Sequence, residues 1–169
     1  MAVSQFNLSN GQRAERKLLI TVAEWTESSS QVREILGTRT EDSSIDYNAD
    51  IETTTDILGI NYTDLNKTQP QQDFDPYLIL GGSKLGAKLN DIRRRNAISE
   101  LDQFTVYIIT AFVGTSGEYE AEKHTGCTIV YNSIGGDTNV NFPISVYFSN
   151  NITTGTVDKL ADDFVFTPD

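Results

Sequence analysis

The chain has 169 residues, of which 38% are hydrophobic, with 8 Phe, 7 Tyr and 1 Trp. That length fits one domain with its own core, and that apolar content excludes a disordered chain. The 13 basic and 24 acidic residues leave a formal net charge of -11, the wrong sign for a protein that grips nucleic acid through its phosphates.

One cysteine, Cys127, excludes an intrachain disulfide and fits folding in a reducing cytoplasm. It sits in the apolar run Cys127-Thr128-Ile129-Val130-Tyr131 and reads as a buried, inert thiol. Residues 1–7 lack the basic and then apolar pattern of a signal peptide. No apolar run approaches the roughly 20 residues that cross a bilayer. The chain is therefore expected to be soluble and to fold where it is made. On that reading, the triplets Asn61-Tyr62-Thr63 and Asn66-Lys67-Thr68 match the glycosylation pattern by chance.

In chain order, residues 1–14 are polar and unpatterned, an arm that orders against a partner or not at all. Residues 16–23 are apolar on both faces, which predicts a buried strand. Glu27-Ser28-Ser29-Ser30 reads as a turn, and a strand is expected near residues 32–39. Ile45 and Tyr47 then alternate with Ser44, Asp46 and Asn48, and Ile51, Thr53, Thr55 and Ile57 alternate with Glu52, Thr54 and Asp56. Period two predicts two strands, each with one buried and one wet face. Asn48-Ala49-Asp50 is the expected turn between them, giving a hairpin over residues 43–58. Residues 62–72 read as one more strand or an extended loop.

Ser83 looks like a helix N-cap. Leu85, Leu89 and Ile92 follow at helical spacing, so the spacing predicts one helix over residues 83–97. Residues 104–113 alternate apolar side chains onto both faces, a core strand that must be covered twice. Gly114–Gly117 is a turn and residues 119–131 a long strand. After a turn at Gly135-Gly136-Asp137, residues 140–148 read as a one-sided strand, placed near a sheet edge by Pro143. Residues 158–169 form an acidic tail with an apolar patch, Phe164-Val165-Phe166. The expected fold is mainly β, a β-sandwich or barrel with one flanking α-helix. The expected organisation is an arm at 1–14, a β-domain at 15–157 and a tail at 158–169.

The chain holds little catalytic chemistry. His124 is the only histidine, and it reads as a surface residue between Lys123 and Thr125. There is no Walker loop, dinucleotide fingerprint or His-Glu-x-x-His. Gly81-Gly82-Ser83-Lys84 has the wrong glycine spacing for a phosphate loop and reads as the start of the helix. One His and one Cys argue against zinc. The many acids fit no twelve-residue calcium loop, and no carboxylate pair stands out as a glycosidase couple. Trp25 is read as core. No catalytic, metal or cofactor residue is assigned.

Between Arg39 and Lys67 there is no basic residue, while Glu41, Asp42, Asp46, Asp50, Glu52, Asp56 and Asp64 fall in that interval. A solvated outer face is one reading of this stripe. A wall that repels a polyanion and lets it slide is the other, because like charges on neighbouring strands carry a cost that needs a use.

The stretch Thr40-Glu41-Asp42-Ser43-Ser44-Ile45-Asp46-Tyr47-Asn48-Ala49-Asp50-Ile51-Glu52-Thr53-Thr54-Thr55-Asp56-Ile57-Leu58-Gly59 resembles a segment of the tail tube (major tail) proteins of long-tailed phages of Gram-positive hosts. Lys67-Thr68-Gln69-Pro70, Gly81-Gly82-Ser83-Lys84-Leu85 and Asp91-Ile92-Arg93-Arg94-Arg95-Asn96-Ala97 are similar too. The resemblance covers roughly residues 15–157. Related tubes occur in contractile tails and in phage-derived bacteriocins. The resemblance implies a non-enzymatic subunit of stacked hexameric rings whose inner strands close a barrel around a DNA-conducting lumen. It implies a tape measure protein and tail terminator and baseplate proteins as partners. The location it implies is the virion tail, assembled in the host bacterial cytoplasm. On it, Ser44, Asp46, Asn48, Glu52, Thr54 and Asp56 would line the lumen. Lys88, Arg93, Arg94 and Arg95 would lie outside, against a neighbouring subunit or in solvent. A β-sandwich adhesin or decorating domain is the alternative function.

Overall fold

The computed structural model describes residues 4–169. In chain order the strands are β1 (Leu19–Glu27), β2 (Ser30–Ile35), β3 (Ile45–Asp46), β4 (Asp50–Thr55), β5 (Asn61–Lys67), β6 (Gln71–Phe74), β7 (Phe104–Thr115), β8 (Glu118–Tyr131), β9 (Ile144–Tyr147), β10 (Ile152–Val157) and β11 (Phe166–Pro168). One α-helix, α1 (Lys84–Arg95), lies between β6 and β7. Nine strands join in an antiparallel sheet along the path β2-β1-β7-β8-β9-β6-β3, with β10 against β8 and β11 outside β10. Strands β4 and β5 form a separate two-stranded ribbon.

The β1–β2 hairpin turns through Ser28 and Ser29, at φ 48° and 69°. Two successive left-handed residues give the turn whose twist matches that of the flanking strands. The partner β7 bonds β1 on its other edge, from Leu19↔Thr110 to Glu24↔Thr105.

Strand β8 serves two layers. Its first half pairs with β7 on one side and with β10 on the other, and its last residues pair with β9 from Thr128↔Tyr147 to Tyr131↔Ile144. The change falls at Gly126, an extra residue between the pairs Thr105↔Thr125 and Phe104↔Cys127. Its φ of 77° is a conformation that glycine adopts without strain. A bulge of this kind bends the strand. The sheet thereby doubles over into a sandwich.

The main core fills the fold. Trp25, Phe74, Phe104, Ile108, Ile129, Phe142, Ile144 and Val146 meet there with Leu85, Leu89 and Ile92 of α1. On the opposite face of β1 and β7, Val22, Tyr107, Ile109, Ala121 and Val157 pack against Phe164 of the C-terminal segment. Both faces of β7 are covered, as its alternation requires.

The helix begins and ends where its sequence directs. Ser83 Oγ accepts from the Gly86 amide at 3.2 Å, and Asn96 closes the C-terminus in the left-handed region at φ 54°. A Cβ on Gly86 would lie 2.9 Å from Ser83 Oγ, so the helix-weakening glycine leaves room for the cap. Glu34 of β2 accepts from the amides of Lys84 and Leu85, and also from Tyr77 and Ser83 hydroxyls. A carboxylate at a helix N-terminus satisfies its free amides and its positive dipole end. It ties α1 to the sheet.

Several expectations change. Strand β9 is interior, between β8 and β6, because Pro143 precedes it and uses only its carbonyl, which accepts from Asn132 N at 2.8 Å. His124 is 2% exposed, not a surface residue, because its ring projects from the sheet face onto which Phe148 packs. The hairpin expected over residues 43–58 does not form: β3 pairs with β6, and β4 pairs with β5. The arm read in residues 1–14 has an anchor in its own chain. Phe6 bridges Val113 and packs edge-on against Phe112, while Asn7 bonds the carbonyls of Ala111, Phe112 and Gly114. Met1–Val3 lie outside the described residues.

Leu89 is completely buried at the helix–sheet contact. Leu89→Ala is expected to lower unfolding stability by about 2–5 kcal/mol, read as an earlier urea midpoint with an unchanged slope.

Candidate functional site

The ribbon grows from the open edge of the sheet. Ile45↔Gln72 and Asp46↔Gln71 pair first, and the Gln69 amide then donates to the Tyr47 carbonyl at 2.8 Å. The ladder resumes at Asp50↔Lys67 and runs to Thr55↔Asn61. Two irregularities interrupt it. Asn48 is left-handed at φ 46° and its side-chain amide donates to the Gln69 carbonyl at 3.0 Å. A bulge follows, where Ile51 faces Leu65 while Asp50 faces Lys67. A strict two-residue alternation from Ser44 to Asp56 is therefore broken midway.

Residues directly opposite in an antiparallel pair share a face. Glu52 stands across from Asp64 and Thr54 across from Tyr62, which makes one face acidic and polar. On the other face Ile51 stands across from Leu65 and Thr53 across from Thr63. Thr55 Oγ1 donates to Asn61 Oδ1 at 2.6 Å. Every residue of both strands is exposed, including Ile51 at 59% and Leu65 at 62%. The buried side expected of Ile51 and Ile57 is bare, as is Tyr47, while Ile45 is half-buried. Among the described residues no other strand covers them.

Asp56 builds the tip. Its Oδ1 accepts from the Leu58 and Ile60 amides at 2.8 and 3.0 Å, and its Oδ2 accepts from the Tyr62 hydroxyl at 3.1 Å. Gly59 completes the turn at φ 78°. Ile57, Leu58 and Ile60 are left pointing outward, with Ile57 fully exposed. The Ile60 amide bond, with those from the Leu58 amide and the Tyr62 hydroxyl, holds the Asp56 carboxyl below the usual carboxylate range.

The six residues assigned to a lumen thus occupy three settings. Glu52 and Thr54 lie together on the acidic face of the ribbon. Ser44 and Asp46 are exposed at the sheet edge, and Asn48 is a turn residue whose side-chain amide donates to the Asp46 and Gln69 carbonyls. Asp56 is committed to the tip. Asp64 and Tyr62 share the face of Glu52 and were not assigned, because their strand could not be separated from a loop. The signal for it was present: Asp56-x-x-Gly59 is turn chemistry, followed by β-rich Asn61-Tyr62-Thr63.

The basic helix surface is also divided. Lys88 bonds Glu100 at 2.9 Å, and Arg95 bonds both Asp91 and Glu100. Arg95 first, and then Lys88, holds the Glu100 carboxyl down to about 2. Arg93 reaches Asn90. Arg94 is the one member of the four with no partner among the described residues. Of this cluster, it is the cation that remains free to meet another molecule.

Among the described residues no group of three or more His, Cys, Asp or Glu is placed to hold a metal ion, and no helix is long and apolar enough to cross a membrane. The Cys127 thiol is fully buried, and burial pushes its ionisation up. A cavity of about 460 Å³ opens between the layers near Arg16, Thr21 and Gln72. Several of its polar side chains are already engaged: Thr21 donates to Gln72 at 2.8 Å, and Arg16 to the Leu19 and Ser43 carbonyls.

No protein-family model matches the chain, and no curated protein matches it. Three solved structures are similar in fold. A chain of the sheath–tube complex of an extracellular contractile injection system (PVC) in its extended state is 11% identical, with a TM-score of 0.48, over 87% of this chain and 94% of that one. A chain of the tube-terminating cap of the anti-feeding prophage is 14% identical, with a TM-score of 0.49, over 92% and 99%. A chain of the anti-feeding prophage baseplate is 8% identical, with a TM-score of 0.47, over 87% and 97%.

Asp56→Ala is expected to loosen the tip, seen as faster amide hydrogen exchange at Leu58 and Ile60 with no change at Ile129. The carboxyl is depressed in the folded chain, so its support is complete above the range of an ordinary unfolded-chain aspartate and is lost as pH falls through the lower folded value. Exchange at the two amides should therefore rise on acidification in the parent and be insensitive to pH of that origin in the variant.

Proposed function

We propose that this chain is a structural subunit of a phage-type tail tube. The observation that carries the reading is the β4–β5 ribbon, exposed on both faces and open on both edges. A lone two-stranded ribbon is marginal in water, and free strand edges recruit other strands. The ribbon in a single copy is therefore an unfinished element. Pairing the β4 edge of one copy with the β5 edge of the next removes those edges, and a closed ring removes all of them.

The two faces then take different roles. The Ile51 and Leu65 face turns outward onto protein, where its apolar area is buried. The Glu52 and Asp64 face turns to the bore, joined by Thr54 and Tyr62. A carboxylate wall does not neutralise phosphates, so DNA passes without being held. Ser44, Asp46 and Asn48 sit at the ribbon base, nearer the rim than the middle of the bore. Arg94 meets an acidic neighbour on the outside. Hexameric closure, stacked rings, a tape measure protein within and terminator and baseplate proteins at the ends complete the assembly. It is a particle tail component with no catalytic step.

Like charges brought together in a bore repel, and salt screens them over about 10 Å at 0.1 M. Assembly is expected to be faster at moderate salt than at low salt, measured by light scattering.

Concentrated protein, with and without purified tail-end complexes as seeds, is expected to give rings or tubes by electron microscopy. Residues 50–67 should line the central hole. Ile51→Asp with Leu65→Asp should leave the monomer folded, since both positions are exposed, and abolish tubes. Images with residues 50–67 on the outer wall would end this reading. Seeded protein that stays monomeric with its ribbon intact would favour the adhesin or decorating domain. Arg94→Glu is expected to weaken ring formation without lowering monomer stability, whereas Arg95→Ala should lower monomer stability through the lost Glu100 pair.

A further inference from the structure

His124 stands two residues before Gly126, at the corner where β8 changes layers. Its ring is buried, and its two nitrogens have separate partners. Nδ1 is 3.1 Å from the Ser149 carbonyl oxygen, and Nε2 is 3.2 Å from Glu122 Oε2. A carbonyl and an ionised carboxylate both accept hydrogen bonds and neither donates one. A ring with a single N–H can serve one of them. A ring with two serves both.

We propose that His124 is a proton-operated clamp on this corner. With two ring protons it holds Ser149 and Glu122 together, and on losing one it releases Glu122. The asymmetry follows from the partners. Ser149 is fixed: its hydroxyl donates to the Thr125 carbonyl at 2.6 Å, and the adjacent Phe148 ring packs edge-on against His124 at 5.1 Å. The Glu122 side chain is 46% exposed and can turn into water. Among the described residues, the strands paired with β8 place no charged residue opposite His124. Across the ladders His124 faces Val106 on β7 and Ile152 on β10. Cys127 donates its thiol to the His124 carbonyl rather than to the ring. Lys123 flanks it in sequence and lies over the Tyr107 ring, in the other packing layer.

The clamp is complete only while Glu122 is ionised and the ring carries two protons. As pH rises past that window the Nε2 bond is lost and the loop before β10 keeps only the Ser149 contact. The β8–β10 corner is thereby sensitive to proton concentration, and release adds a free carboxylate to the surface.

The chain has 1 His, so its ring nitrogens give unambiguous NMR signals in the ¹⁵N-labelled protein. A pH titration is expected to show both nitrogens protonated on the acid side, loss of the Nε2 proton alone as pH rises, and movement of the Glu122 carboxyl signal at the same midpoint. Glu122→Gln should move the ring midpoint to lower pH. An amide can accept from a protonated Nε2 or donate to a bare one, so the contact in that variant no longer depends on pH. The idea is overturned if Nε2 carries no proton at any pH at which the protein is folded. A ring titration unchanged by Glu122→Gln would overturn it equally.

Discussion

A strand that serves two layers has to bend, and its backbone has to stay bonded through the bend. In this chain β8 does both at Gly126, where an extra residue lets one edge stay with β7 while the other passes from β10 to β9. The consequences run outward from that point. The second layer, β9, β6 and β3, exists because β8 turns toward it. The core closes because α1 and the two layers then face one another. The ribbon leaves the molecule where it does because β3 and β6 form the free margin of that second layer. A residue that fixed Gly126 as regular strand would straighten the corner and remove the platform from which the ribbon projects.

The outer face of β1 and β7 is closed by a different device. Glu24 is 6% exposed and meets the Arg33 side chain, with the Tyr107 hydroxyl at 3.3 Å. Arg33 also donates to the Phe164 carbonyl at 2.6 Å and lies over the Phe164 ring at 4.2 Å. Burial pushes the Tyr107 hydroxyl up to about 12, so it stays a donor. A buried ion pair adds little net stability, yet leaving one member alone is costly. This one fixes where the C-terminal segment lies, since its guanidinium holds backbone and ring together. The apolar patch read in the acidic tail is docked on the body of the chain.

Much of the fold was legible in the sequence. The helix announced itself through Ser83 and the Leu85, Leu89 and Ile92 spacing. The doubly covered strand followed from alternation on both faces of residues 104–113. The ribbon was legible in kind but not in register. Asn48-Ala49-Asp50 has turn composition and does break the strand, but the chain reverses at Asp56–Gly59. Ile57, Leu58 and Ile60 disguise that turn, because apolar residues at a reversal make sense only if something else covers them. The interior place of β9 rests on pairing with β6, far away in sequence, which no local pattern reveals. The burial of His124 was hidden for a related reason: its polar neighbours Lys123 and Thr125 are not buried, while the ring between them is covered by chain that arrives later. Of the site, Glu52 and Thr54 were readable from period two. Asp64 and Tyr62 were not, since a face made of two strands requires knowing both.

The turn at Asp56 bears on how quickly contacts at that end can form. A loop that must find its shape during an encounter gives up conformational freedom then, and many collisions fail. Here one carboxylate already holds two amides and a hydroxyl, so Ile57 and Leu58 meet any surface with their positions settled. Little ordering is left to be done on docking, and the rate of capture is governed by diffusion and orientation rather than by rearrangement.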